Sequence, residues 1–231
     1  MYVYGKNVAN EILKNNTIIQ KAFIYKQFKE DDIISALEKR NIEIKYTEKF
    51  ELDKLADGNH QGIILKVPDY KYWDIEQLVK ADDALLVILD HLEDPHNLGA
   101  IIRTCEAAGV NGIIIPKDRS VEVNSTVMKV SAGALENVKI AMVTNLTNTI
   151  KDLKKQGFWI VGTDMNGTNY DEIDYHGKIA IVVGNEGSGM SRLVKESCDF
   201  IASIPMRGKI NSLNASVATG IVINEAIKVR R

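Results

Sequence analysis

Three short stretches carry more polar chemistry than folding requires. In "IPMRGKINSLNASVATGIVINEA", Ile204 to Ala226, a strand end runs through a polar loop into a helix, and Asn211, Ser212, Asn214 and Ser216 fall within six residues. A helix start needs one side-chain oxygen to accept a first-turn N–H, so the other polar groups are free to surround a ligand. The second stretch, "IVVGNEGSGMSRLVKESC", Ile181 to Cys198, is an apolar strand ending in closely spaced glycines. Its G-x-x-G-x-G spacing is neither the dinucleotide fingerprint nor a P-loop, and Glu186 within it opposes a phosphate. A ligand with hydroxyls or a positive charge suits it better, and a plain tight turn is the alternative.

The third stretch, "LDHLEDPHNLGAIIRTCEAAG", Leu89 to Gly109, reads as strand, Asp/Pro/His/Asn loop and helix. Arg103 stands between apolar neighbours near the expected beginning of that helix, where a cation opposes the helix dipole. Either it is a solvated arginine pairing with Glu93 or Asp94, or it is held there for chemistry. From the residues alone, Asn97 is read as a helix cap rather than a catalytic group.

The elements that must position these residues are legible from hydrophobic periodicity. From about Leu85 the strands are continuous apolar runs, "LLVILD", "GIIIP", "KIAMV", "FWIVG", "IAIVVG" and "FIASIP", separated by helix-like segments. Strands apolar on both faces predict a parallel sheet covered by helices, an α/β fold whose ligands collect at the carboxyl ends of the strands. Residues 1–66 alternate short units, among them "NVANEILK", "AFIY", "DDIISALEKR" with Ile33, Ile34 and Leu37 on one face, "IEIKY" and "GIILKV", which predicts a small N-terminal α/β domain. Pro68 and "PDYKYWD" mark residues 67–84 as a linker, leaving residues 85–231 as the second domain. The last helix, expected over Leu213 to Val229, is slim at Ala215, Ala218 and Gly220 and apolar at Val217, Ile221 and Val222. It suits either a partner subunit or simple burial.

Composition narrows the class. The 231 residues carry a net charge of −2, which argues against binding nucleic acid by bulk charge but is silent on local patches. Residues 1–66 hold 11 Lys and Arg against 10 Asp and Glu, so any nucleic-acid recognition there would rest on shape and unpaired bases. No apolar run reaches the roughly 20 residues of a membrane span, and no export signal is evident, so a cytoplasmic protein without membrane attachment is expected. Cys105 and Cys198 read as buried free thiols rather than a disulfide or a metal site, and no metal is expected.

The motifs "NLGAIIRT", "VVGNEGSGM" and "IPMRGKINSLNASVATGI" resemble, in order and spacing, those of the SpoU, or TrmH-type, RNA ribose 2′-O-methyltransferases. The subgroup acting on a guanosine of 23S ribosomal RNA is the most similar. "YGKNVANEIL" and "HQGIILKV" resemble that subgroup's RNA-binding domain. The resemblance implies a trefoil-knotted C-terminal part of the SPOUT class, S-adenosylmethionine as cofactor and a homodimer through the knotted domain. It implies that Gly184, Ile204 and Leu213 hold the cofactor with Thr163, Met206 and Ser216 lining its pocket. Arg103 matches the proposed base, and Asn97, Glu186, Ser212 and Asn214 match active-site polar positions. Because an arginine is ordinarily protonated, Arg103 either has a perturbed proton or orients the 2′-hydroxyl and a phosphate. A tRNA 2′-O-methyltransferase and a non-catalytic RNA-binding protein on the same fold are the alternatives. The absent dinucleotide fingerprint opposes a nicotinamide-dependent oxidoreductase.

Overall fold

The computed structural model describes residues 1–56, 58–210 and 212–230. In chain order, β1 (Tyr2–Tyr4), α1 (Lys6–Lys14), β2 (Lys21–Tyr25), α2 (Asp31–Lys39), β3 (Ile44–Thr47), α3 (Lys49–Asp53) and β4 (Ile63–Lys66) come first. They are followed by β5 (Leu85–Leu89), α4 (Pro95–Ala107), β6 (Gly112–Pro116), α5 (Ser125–Ser131), β7 (Ile140–Val143) and α6 (Leu146–Lys155). The chain ends with β8 (Trp159–Asn169), β9 (Ile179–Val183), α7 (Arg192–Glu196), β10 (Phe200–Ser203) and α8 (Ala215–Lys228). No helix among the described residues is long and apolar enough to cross a membrane.

The chain divides into two compact units, one of Met1–Lys71 with Val123–Gly133 and one of Tyr72–Glu122 with Ala134–Arg231. In the first, β1-β4-β2-β3 form a sheet in which only β2 and β3 run parallel. Amphipathic α1 and α2 turn Val8, Ala9 and Ile12, and Ile33 and Leu37, into a core with Val3, Ile24 and Ile63. Of the three apolar residues expected on one face of α2, Ile34 packs at the margin of that core. Helix α5 lies in the stretch that the sequence division 1–66, 67–84 and 85–231 assigns to the second part. Its Met128 packs against the first unit's core, because a seven-residue helix gives no periodic signal of which core takes it.

In the second unit six strands, all pairing in parallel, run in the order β10-β8-β9-β5-β6-β7. Every residue of β5, β6 and β9 is buried, which explains their unbroken Ile, Leu and Val runs. Each such side chain contributes about 1.5–3 kcal/mol by leaving water. From β5 the chain builds outward through β6 and β7, then crosses so that β9 pairs with the other edge of β5, Leu89 opposite Val183. That reversal places the carboxyl ends of β5 and β9 side by side at the position where parallel sheets bind ligands. Strand β8 continues well past "FWIVG" to Asn169. Its pairing with β10 slips between Ile201 and Ala202, so Gly162 and Thr168 face consecutive residues and the intervening Thr163–Gly167 bulges out.

Candidate functional site

The loop after β9 is built by its own side chains. Asn185 Oδ1 accepts from Gly187 N–H at 2.9 Å and Ser188 N–H at 3.3 Å, while Asn185 Nδ2 donates to the His91 carbonyl at 2.8 Å. The main chains of Asn185 and Gly189 exchange N–H···O bonds of 3.0 Å and close a tight loop. Gly184 is required beneath it, since a Cβ there would sit 2.3 Å from Gly189 C and Met190 N.

Asp90, at the end of β5, fastens this loop to the sheet. Its carboxylate is 1% exposed, accepts from Ser191 N–H at 2.6 Å and meets His91 Nδ1 at 2.6 Å. A buried carboxylate survives only with such partners. Asp90, His91 and Asn185 are missed by sequence reasoning. The signals were present, a charged residue directly following an all-apolar strand and an Asn within the glycine loop.

Asn97 is not the cap of α4. Asp94 is, accepting from His96 N–H at 2.9 Å, and Pro95 takes the first helical position that its missing N–H suits. Asn97 is instead buried in the first turn with both ends of its amide in use. Its Nδ2 donates to Glu186 Oε1 at 2.7 Å and its Oδ1 accepts from Asn214 Nδ2 at 2.9 Å. Asn214 Oδ1 in turn accepts from Ser216 N–H at 2.9 Å and Ser216 Oγ–H at 2.6 Å, which caps α8. Helix α8 therefore begins at Ala215, later than the expected Ser212 or Leu213, because the cap is Asn214 itself.

One continuous chain of hydrogen bonds, Glu186–Asn97–Asn214–Ser216, thus joins the three polar clusters. Glu186 is exposed, and its second oxygen makes no hydrogen bond among the described residues. Such a carboxylate accepts from a hydroxyl or attracts a cation.

The helix boundary also corrects the reading of Arg103. It is the ninth of the thirteen residues of α4, past the dipole's positive end, because the helix begins at Pro95. Its side chain is exposed and makes no ion pair or hydrogen bond among the described residues, so the expected pairing with Glu93 or Asp94 is not formed. Six residues separate it from Asn97, a rise of roughly 9 Å along the helix. The structure brings Asn97, Glu186, Asn214 and Ser216 together and leaves Arg103 outside that network.

The remaining candidates stand in β8, after the end of β10 and in the loop before α8. Thr163 Oγ1 donates to the Val182 carbonyl at 3.1 Å, which ties the start of the β8 bulge to β9. Ile204 is half-buried at the end of β10, Ser212 is exposed, and Asn211 lies outside the described residues. Met206 and Leu213 are 39% and 37% exposed. The main chain of Met206–Ile210 makes no hydrogen bond among the described residues, leaving its polar groups available. Asp164, in the bulge, pairs with Lys195 at 2.7 Å. Burial pushes its pKa up, but the Lys195 ammonium and the Asn166 and Met165 amides outweigh that and hold it below the usual carboxylate value.

Comparison with known proteins identifies the family and the fold. The model of the SpoU rRNA methylase family matches residues 84–224, and that of the RNA 2′-O ribose methyltransferase substrate-binding domain matches residues 2–73. YacO of Bacillus subtilis, assigned by name to the TrmH family of tRNA/rRNA methyltransferases, is 42% identical over 99% of this chain and 96% of its own. The crystal structure of the SpoU methyltransferase AviRb from Streptomyces viridochromogenes, solved with AdoMet, superposes with a TM-score of 0.85 at 22% identity. It covers 100% of this chain and 90% of that one. The TrmH/SpoU tRNA modifying enzyme of A. aeolicus, 34% identical, covers 68% of this chain and 80% of its own, with a TM-score of 0.59. The polar chain that links the three strand-end clusters accordingly sits in an RNA methyltransferase fold, and this protein belongs to the SpoU/TrmH family.

Proposed function

We propose that the protein transfers a methyl group from S-adenosylmethionine to a ribose 2′-hydroxyl of RNA, with a guanosine of large-subunit ribosomal RNA as the substrate. The observation that carries this reading is the hydrogen-bonded chain Glu186–Asn97–Asn214, which fixes three polar groups from three separate motifs at one end of the sheet. Positioning of this kind is what methyl transfer asks of a protein, because the reaction needs alignment of oxygen, methyl and leaving sulfur while the hydroxyl proton is lost.

The strand-end loops fit the cofactor. Exposed apolar Met206 and Leu213, the main chain of Met206–Ile210 with no hydrogen bond among the described residues, and the close-packed Gly184 supply an apolar bed with amide donors and carbonyl acceptors. When bound there, S-adenosylmethionine supplies an electrophilic methyl group on a sulfonium. Gly184, Ile204 and Leu213 hold it through their main chains, and Thr163, Met206 and Ser216 line its pocket. Asn97 fixes the rotamers of Glu186 and Asn214, and Ser212 adds a hydroxyl beside them. Arg103, exposed and without an ion pair among the described residues, reaches the RNA either as a charged guanidinium that orients the 2′-hydroxyl and an adjacent phosphate or, only in its neutral guanidine form, as the acceptor of the hydroxyl proton.

The same reading includes a trefoil-knotted second unit, a homodimer through it, and residence in the cytoplasm. Support for the dimer is Val217, an apolar side chain left half exposed on α8. Light scattering at micromolar concentration giving the mass of one chain would remove the dimer. Residues 1–66 are assigned to recruiting the RNA.

The test is single-turnover methyl transfer with RNA and cofactor saturating. Arg103→Ala is expected to keep cofactor affinity and fold, and to lose at least about a hundredfold in rate. Wild-type rates in that variant would remove Arg103 from the mechanism. The name of the A. aeolicus relative favours tRNA as the second reading, so purified ribosomal RNA and tRNA are offered separately with labelled cofactor. Methylation of tRNA alone would replace the ribosomal substrate.

A further inference from the structure

Two short stretches of the first unit, "YGKNVANEIL" and "HQGIILKV", are far apart in sequence and meet in space. Lys6 N–H donates to Gln61 Oε1 at 2.9 Å, and Gly5 N–H donates to the Ile63 carbonyl at 3.2 Å. Together they form one wall of an open groove of about 690 Å³. Its other walls are the turn after β2 and the ends of α3. The size falls within the roughly 300–1,000 Å³ of small-ligand sites.

The wall is held in a conformation the chain would not choose. Gln61 and Gly62 are consecutive left-handed residues, at φ 52° and 87°, and a Cβ on Gly62 would lie 2.9 Å from Phe28 Cδ2. His60, 5% exposed, locks them: its Nδ1 accepts from Gly62 N–H at 2.9 Å, so its Nε2–H donates to Asp53 Oδ1 at 2.9 Å. Local strain retained by a buried hydrogen-bonded support is characteristic of binding sites.

The lining supplies three kinds of contact. Lys29 and Lys49 bring positive charge and make no ion pair among the described residues, whereas the Lys6 ammonium is already paired with Glu30 at 2.5 Å and the lining carboxylate of Asp53 is engaged by His60. Tyr25 and Phe28 bring aromatic rings. Asn59 and Gln61 bring amides whose oxygens are already taken, by Gln61 N–H at 3.3 Å and Lys6 N–H, so their NH2 groups are the ends left to donate. Cations for phosphate, rings for stacking and amide donors for base acceptors are the three components of single-strand recognition.

We infer that this groove takes an unpaired nucleotide of the RNA, its base against Tyr25 and Phe28, its acceptor edge facing Gln61 and Asn59, and its phosphates on Lys29 and Lys49. The inference rests on the reading of the chain as an RNA methyltransferase, and it makes the groove the point at which the first unit distinguishes unpaired from paired RNA. The near balance of charge over residues 1–66 is consistent with cations concentrated at one place.

The test uses the full chain and a fluorescein-labelled ten-nucleotide single-stranded RNA of mixed sequence, with its duplex and free GMP as comparisons. Gln61→Glu retains an oxygen for Lys6 N–H while replacing the donor by a carboxylate. The pair Lys29→Glu and Lys49→Glu changes exposed residues only. Expected results are tighter binding of the single strand than the duplex, and about tenfold weaker binding in each variant with an unchanged circular dichroism spectrum. In the lysine variant the log affinity against log salt slope falls by about 1.4, for two phosphates lost. Variants that bind like wild type, a duplex bound equally well, or GMP displacing the RNA at equal concentration would each overturn the groove assignment. Methyl transfer from labelled cofactor separates the two levels. If wild type transfers methyl and the variants bind RNA normally, only the groove fails; if wild type neither binds nor methylates RNA, the parent reading fails with it.

Discussion

Asn97→Ala removes the middle of the polar chain without touching its ends. Two hydrogen bonds are lost, 2.7 Å to the Glu186 carboxylate and 2.9 Å from Asn214. A bond to a charged group contributes about 1.5–3 kcal/mol and a neutral one about 1. Both partners are exposed and regain water, so the low end applies and the cost is about 2–3 kcal/mol. In a chain of this size that lowers Tm by about 5–10 °C. Urea denaturation gives the free energy directly, provided the second unit's transition is followed separately. The sharper measurement is a double-mutant cycle with Glu186→Ala and with Asn214→Ala, in which each pair should show a coupling of about 1 kcal/mol or more. Methyl transfer should fall in the single variant by more than its stability explains, because Glu186 and Asn214 lose their fixed orientation. Stability within about 0.5 kcal/mol of wild type, or additive cycles, would refute the claim that the three motifs act as one hydrogen-bonded unit.

Gly184→Ala places a methyl carbon 2.3 Å from Gly189 C and Met190 N, so the glycine loop must open; calorimetry should show cofactor affinity reduced at least about tenfold while the strands survive. Burial pushes the Cys198 thiol up to about 12 and the Cys105 thiol higher, so at pH 8 only about one Cys198 in ten thousand is thiolate. Ellman's reagent should therefore find almost no reactive thiol in the native protein and two in urea. Asp164 has a folded pKa below its unfolded value of about 3.9, so its contribution is complete above that value and is lost as pH falls through the lower one. Asp164→Asn should remove part of the acid-side loss of stability and leave the pH 7 to 9 range flat, as read from urea midpoints at pH 3 and pH 7.

How much of this the sequence contained differs from element to element. The central strands were plain in "LLVILD", "GIIIP" and "IAIVVG", because residues buried on both faces leave an apolar run that nothing else explains. The polar residues at their carboxyl ends followed from the same logic. The cap of α4 was less decidable, since Asp94 and Asn97 are both good caps three residues apart, and only Pro95's preference for the first helical position separates them. That displacement also moved Arg103 from the second turn to the third. The far half of β8 was invisible because "TDMNGTN" is mostly polar and is exposed from Met165 onward, and its pairing with β10 exists only through a slipped register. No local pattern encodes strand order, so β9 inserting beside β5 lay beyond periodicity. Asp90 and Asn185 act inward on the loop rather than outward on a ligand, and residue type alone does not distinguish those directions.

The helix that the first unit draws from residues 123–133 fixes an order of events during synthesis. On the ribosome the four-stranded sheet of that unit is complete once β4 has emerged, but Val3, Ile12 and their neighbours still lack Met128. Some sixty further residues must be translated before that cover arrives, roughly 3–12 s at about 5–20 residues per second. Throughout that interval the nascent unit presents an unfinished apolar face while the first strands of the second sheet, β5 and β6, are already being extruded. Chain growth therefore alternates between two cores instead of finishing one before starting the next, and a fragment ending near Lys71 is a different folding problem from the same residues in the finished chain.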